Sequence, residues 1–282
     1  MPYLNLIDAA TLGAHLDDPD WIAVDCRFSL MDTEAGHRAY AESHLPGARY
    51  AHLDRDLSGP ITPATGRHPL PDPARLARTL GEWGIGDGAQ VIAYDDMGGM
   101  LAAARLWWLL RWLGHDAVAV LDGGFSAWRA AGLPLTAALP AVRPAAFEAR
   151  PDDRLWLTAA RAQALPAGEL LVDARAAARY RGDMEPIDPV AGHIPGAANL
   201  PTEDNLAADG RFRPVDDLRA RFLAMLDGRS PTAVAHYCGS GVTACHNLLA
   251  MDVAGLSGSR LYAGSWSEWI RDPGRPVATG AG

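Results

Sequence analysis

The sequence predicts two α/β domains in tandem, each a mostly parallel sheet flanked by helices. Three observations predict it: an internal repeat, short apolar runs alternating with longer amphipathic ones, and a Pro- and Ala-rich stretch between the two copies. "WIAVDCR" at 21–27 resembles "LLVDAR" at 170–175, and "SHLPGARYAHLD" at 43–54 resembles "GHIPGAANLPTED" at 192–204. "VIAYDD" at 91–96 resembles "AVAHYCG" at 233–239, and "LDGGFSAW" at 121–128 resembles "YAGSWSEW" at 262–269. Blocks that recur in one order at a similar offset mark two homologous domains, and the period is far too long for a solenoid.

The elements follow in chain order. "WIAVD", "QVIAY" (90–94) and "AVAVLD" (117–122) are short, mostly apolar runs and read as buried strands. "PARLARTLGEWG" (73–84) and "LAAARLWWLLRWLG" (101–114) read as helices. The second is apolar nearly all round, as a helix packed on a sheet must be. The segment 130–153 is rich in proline, which removes backbone donors and fixes φ, so the linker is placed at 132–152. The domains are then 1–131 and 153–282. In the second, the strand "TAVAHY" (232–237) runs into a helix that begins near Ala244. Strand–helix alternation implies a parallel sheet, whose ligands bind where strand C-termini meet helix N-termini.

Composition narrows the function. The chain has 282 residues, 49% of them hydrophobic and 21% charged, which suits one large core or two modest ones. A net charge of −9 argues against nucleic acid or an anionic membrane as partner. No apolar run is long enough to span a bilayer, and the N-terminus lacks the pattern of a secretory signal. Cys26, Cys238 and Cys245 are odd in number and not at metal-ligand spacing, which fits free thiols in a reducing, cytoplasmic setting.

Cys238 carries the chemistry. It follows a strand and precedes Gly239, Ser240, Gly241, Val242 and Thr243, after which the helix starts. Glycines permit the tight turn and leave N–H groups uncovered, and consecutive N–H groups ending in a helix N-terminus form an anion cradle. Such donors favour a thiolate over a thiol. The expectation is a nucleophile whose sulfur can carry a negatively charged adduct. Cys26, at a strand end, and Cys245, within the helix, read as packing residues. A phosphatase built on such a loop needs an arginine six positions after its cysteine to clamp phosphate, and position 244 is alanine. The other chemistry such a loop serves is sulfur transfer, with a persulfide on the cysteine, and a phosphatase stands as a distant reading.

On "CGSGVTA" (238–244), "SHLPGA" (43–48), "GHIPGA" (192–197) and "GSWSEW" (264–269), the chain resembles the two-domain rhodanese-type sulfurtransferases over essentially its whole length. The loop looks like that of the 3-mercaptopyruvate branch; the thiosulfate branch tends to carry basic residues where Gly239 and Ser240 stand here. The resemblance implies tandem rhodanese-like domains of which only the second is catalytic, since Asp95 stands where Cys238 does. It implies a small-molecule donor, 3-mercaptopyruvate or alternatively thiosulfate, and an acceptor thiol such as thioredoxin, or cyanide. It implies no metal and no organic cofactor. A sulfur-carrier or sensor module using the same loop is a further reading.

The resemblance also implies roles around the nucleophile. Arg179, in "ARY", matches the arginine that binds the donor's anion; an ion pair with Glu185 is the structural alternative. Ser240 is the loop serine that the family pairs with a histidine and an aspartate, matched here by His68 in "RHPLPD" and Asp54 in "AHLDRD". A histidine can polarise the hydroxyl while the aspartate fixes its tautomer. His68 also reads as an exposed loop histidine, and Asp56 competes with Asp54. Thr243 is a donor to the sulfur or the helix N-cap. Arg175, His44 and His193 read as structural, because each motif recurs in the half without the cysteine, and Trp107, Trp108, Trp266 and Trp269 read as packing residues. One departure stands out: the mercaptopyruvate branch usually has a second arginine in an "EPR"-like segment, where this chain has Ile187 and Asp188 in "MEPIDP".

Overall fold

The structure, a computed structural model, describes residues 1–281. The chain forms two compact units, and each contains one five-stranded sheet in which every strand pair is parallel.

The first unit comprises Met1–Gly59, Pro71–Asp152 and Ala208–Phe212. Its strands are β1 (Leu6–Ile7), β2 (Trp21–Asp25), β3 (Arg49–Tyr50), β4 (Gln90–Tyr94) and β5 (Val118–Leu121), in the order β1-β5-β4-β2-β3. The central strands are the apolar runs, buried along almost their whole length because helices cover a parallel sheet on both faces. The helix Ala102–Trp112 packs on β4 and β5 and buries every residue except Arg111. On the sheet, Ile7, Leu12, Ile92, Tyr94, Phe125 and Trp128 share one apolar cluster.

The second unit comprises Pro60–Leu70, Asp153–Ala207 and the chain from Arg213 onward. Strands β6 (Trp156–Leu157), β7 (Leu170–Asp173), β8 (Ala198–Asn199), β9 (Val234–Tyr237) and β10 (Arg260–Tyr262) are ordered β6-β10-β9-β7-β8, the same topology again. Leu157, Leu171, Tyr180, Tyr237, Tyr262, Trp266 and Trp269 form its matching cluster.

Buried polar devices are duplicated with the sheets. Asp25 holds Arg27 at 2.6 Å and Asp173 holds Arg175 at 2.6 Å, each pair buried. Each arginine also donates to a backbone carbonyl, that of Ser43 at 2.6 Å or Gly192 at 2.7 Å. Removing one partner of such a pair strands a buried charge, at about 3–5 kcal/mol. His44 and His193 bond the carbonyls of Tyr40 and Tyr180 through Nδ1 at 2.7 and 2.8 Å. Both histidines also bridge backbone to backbone, with Thr136 and Ala278 respectively. These residues are structural in both units.

Two segments lie where the composition does not suggest. Residues 132–152 belong to the first unit, to which the amides of Ala145, Arg150 and Asp152 bond through the carbonyls of Gly81, Leu113 and Trp112, each at 2.9 Å. Residues 60–70 belong to the second unit, where the Arg67 N–H donates to Ser267 Oγ at 3.0 Å.

Candidate functional site

The site is the turn between β9 and the helix Ala244–Val253. Cys238 follows the last residue of β9, is 2% exposed, and lies under the turn rather than out in solvent. The Gly241 N–H points back at the sulfur, with N to Sγ at 3.2 Å. Gly241 can do this because its φ is +77°, and a Cβ there would lie 2.2 Å from the Ala263 carbonyl oxygen. Gly239 serves a different need: a Cβ would lie 2.8 Å from Arg67 Nη2 and 3.6 Å from Arg179 Nη1, so two guanidinium groups reach the loop backbone.

The backbone of Cys238 is fixed from β10's side. Its N–H donates to Ser265 Oγ at 3.1 Å, and its carbonyl accepts from Trp266 N at 3.0 Å. Ser265 adopts φ +55°, a conformation uncommon for a residue with a side chain, and also bonds the Tyr262 carbonyl at 3.0 Å. Gly124 holds the equivalent place in the first unit at φ +58°. The second unit therefore keeps a strained serine whose hydroxyl ties down the cysteine amide, where the first has an unstrained glycine.

His68 and Ser240 come together: Nδ1 and Oγ are 2.7 Å apart, and both residues are buried at 4% and 6% exposure. His68 is thus not an exposed loop histidine. Asp54 lies in the first unit, in the turn after β3, where its N–H donates to His52 Nδ1 at 3.1 Å. In the same turn the Asp56 carboxylate accepts the His52 N–H at 2.7 Å. Thr243 stands at the helix N-cap but its side chain makes no capping hydrogen bond, because the residue already has helical φ and ψ. Val242 is buried beside it.

Arg179 is both beside the loop and ion-paired. Its guanidinium holds Glu185 at 2.7 Å and Asp188 at 3.1 Å, and Asp188 also binds Arg67. Burial raises the Glu185 carboxyl, but the Arg179 hydrogen bond and the amides of Asp188 and Ile187 prevail and hold it below its ordinary value. Arg67 and Ser265 are the site residues that sequence reasoning missed. Arg67 had a signal in its place directly before His68, and Ser265 in standing where the other repeat has Gly124.

The first unit builds the same turn around a carboxylate. Asp95 follows β4, and its oxygens accept the amides of Met97 at 2.9 Å, Gly99 at 2.8 Å and Leu101 at 3.1 Å. Burial pushes its carboxyl up to about 6 against the pull of those amides. The carboxylate itself fills this turn, as Cys238 sulfur lies within the other. Cys26 and Cys245 are fully buried, and burial beside Asp25 and Asp95 pushes the Cys26 thiol far up.

The rhodanese-like domain model matches residues 8–131 and again 156–272. The chain belongs to the rhodanese-like family. A probable 3-mercaptopyruvate sulfurtransferase of Pseudomonas aeruginosa is 55% identical over 99% of this chain and 100% of its own length. A putative thiosulfate sulfurtransferase of Mycobacterium tuberculosis is 41% identical over 98% of this chain and 97% of its own length. Among solved structures, the 3-mercaptopyruvate sulfurtransferase of Leishmania major superposes with a TM-score of 0.85 at 32% identity, covering 95% of this chain and 75% of that one. SseA of Escherichia coli, one of the 3-mercaptopyruvate sulfotransferases, gives 0.81 at 30% identity, covering 94% and 100%. The family's tandem domains account for the repeat, and its members so named are enzymes that transfer sulfur. Among the described residues no helix is long and apolar enough to cross a membrane.

Proposed function

We propose that this rhodanese-like protein transfers sulfur from 3-mercaptopyruvate through a persulfide on Cys238. The Cys238 thiolate attacks the donor's thiol sulfur. An S–S bond forms, the C–S bond breaks, and its electron pair leaves on carbon as the enolate of pyruvate, which then takes up a proton. An acceptor thiolate attacks the outer sulfur, or cyanide takes it as thiocyanate, and Cys238 leaves as thiolate again. The Gly241 N–H supports negative charge on the cysteine sulfur, and Arg179 and Arg67 supply positive charge for the donor's carboxylate. Asp95 can carry no persulfide, which makes the first unit non-catalytic.

The observation that carries the choice of donor is the 2.7 Å contact between His68 and Ser240 in the loop of Cys238. Pyruvate enolate needs a hydrogen-bond donor at its oxygen and a proton at carbon, and a serine polarised by histidine supplies such help. Sulfite leaving thiosulfate needs neither. The Asp56 carboxylate is taken up inside its own turn; Asp54 stays the aspartate of the proposed triad on the family pattern alone. Thiosulfate remains the second reading because of Ile187 and Asp188 and because a thiosulfate-named relative matches almost the whole chain.

Intact mass of the reduced protein after each donor, run separately, tests this. Mercaptopyruvate should add one sulfur, Cys238→Ser should add none, and Ser240→Ala should slow loading by mercaptopyruvate about 100-fold while leaving thiosulfate loading unaffected. Loading by thiosulfate alone overturns the choice of donor, and loading of Cys238→Ser overturns the nucleophile.

A further inference from the structure

Three arginines and three carboxylates form one chain of ion pairs beside the active turn. Asp173 holds Arg175 at 2.6 Å; Glu185 joins Arg175 at 3.3 Å to Arg179 at 2.7 Å; Asp188 joins Arg179 at 3.1 Å to Arg67. The three carboxylate side chains are only 0%, 3% and 2% exposed. The chain of pairs is formally neutral as it stands. Its last carboxylate, Asp188, takes up the two guanidinium groups that flank Gly239.

We propose that Asp188 is an internal anion that keeps the donor's place: the anionic group of an incoming donor gains Arg67 and Arg179 by displacing the Asp188 carboxylate. The inference rests on the reading of Cys238 as the sulfur acceptor. An anion added to a neutral, buried cluster without displacement would be uncompensated charge in a poorly solvated place. One of the three carboxylates must then leave, and only one is built to. Asp173 ends β7 and Glu185 is held by Arg175, Arg179 and the amides of Ile187 and Asp188. Asp188 lies between Pro186 and Pro189 in a segment without regular structure, beside the exposed Ile187 and Val190. A turn of the Asp188 side chain alone, with its amide still on Glu185, would carry the carboxylate toward water. Every donor thus competes with Asp188, which makes it a specificity-determining residue that raises the KM for anionic donors.

The test uses the full chain with Asp188→Asn, which keeps the shape and removes the charge, and Asp188→Glu, which restores the charge. Asp188→Asn should lower the KM for mercaptopyruvate about tenfold with kcat within twofold, and Asp188→Glu should return it toward the parent value. Calorimetric titration of pyruvate into the Cys238→Ser protein, with and without Asp188→Asn, should show the same tenfold gain in affinity. Asp188→Ser gives the same signs if the Asn variant folds poorly. A higher KM together with weaker pyruvate binding overturns the proposal, because Asp188 then only positions the guanidinium groups, and unchanged values overturn it as well. The pyruvate titration needs no turnover. If the parent protein accepts sulfur from no donor, the assigned function fails while the titration still decides the role of Asp188.

Discussion

Gly241→Ala is the perturbation whose outcome the structure constrains most tightly. Two effects separate cleanly. The first is conformational: at φ +77° a methyl costs about 1–2 kcal/mol, partly offset by the roughly 0.4–1 kcal/mol that a less flexible unfolded chain contributes. The second is steric. The new Cβ would sit 2.2 Å from the Ala263 carbonyl oxygen, so loop or carbonyl must move by about 1 Å to reach an ordinary contact. Forcing an atom into packed surroundings costs about 1–3 kcal/mol, for a total near 2–4 kcal/mol. Gly228→Ala is the control. It shares the backbone conformation, φ +80°, with nothing within 4 Å of the new Cβ. Urea unfolding should place Gly228→Ala about 1 kcal/mol below the parent and Gly241→Ala clearly lower still. The moved turn also carries the Gly241 N–H away from the Cys238 sulfur, now 3.2 Å off, and a misplacement of about 1 Å costs about 100-fold in rate. Persulfide formation, followed by quenched-flow mass measurement, should slow by that factor in Gly241→Ala and not in Gly228→Ala. Equal stability of the two variants, with sulfur loading at the parent rate in both, would refute the close approach and the role given to the amide.

Two other predictions concern stability. Asp95→Ala leaves the amides of Met97, Gly99 and Leu101 without their acceptor, so the chain should lose about 3 kcal/mol, read as a drop in the midpoint of thermal unfolding. A midpoint shift too small to resolve would mean that water or a relaxed turn satisfies those amides. His236 is fully buried on β9, and burial, helped by the charge of Arg221, holds its imidazole down at about 3. The folded protein keeps it neutral while the unfolded chain takes up a proton near its ordinary value of 6.5. Its stabilising contribution is therefore whole above pH 6.5 and is lost as pH falls from there toward 3, at about 1.4 kcal/mol per pH unit. Urea unfolding at pH 7.5 and 5.5 should show this loss in the parent and a smaller one in His236→Leu; equal losses in both would exclude His236 as the source.

The sequence by itself determined the repeat, the central strands and the strand–glycine–helix turn that holds Cys238. "WIAVD" and "QVIAY" are β2 and β4 to the residue, because a strand buried on both faces needs a continuous apolar run that few other roles tolerate. The helices expected at 73–84 and 101–114 run Pro73–Glu82 and Ala102–Trp112, since frayed final turns carry no pattern of their own. The two-residue edge strands β1, β3, β6 and β8 were not legible, being too short to show any period. Cys238 could be read because strand, glycines and helix are contiguous in the chain. The tertiary structure alone decided what gathers around it. Arg67 comes from a segment more than 170 residues upstream that joins the second unit, and Ser265 from the far end of β10. The missing arginine of "MEPIDP" could be seen in the sequence, but not that Asp188 there is the carboxylate between two guanidinium groups. Local propensity and hydrophobic period act between near neighbours, so they specify elements. Ion pairs and close approaches depend on where distant segments meet, and only the packed chain specifies that.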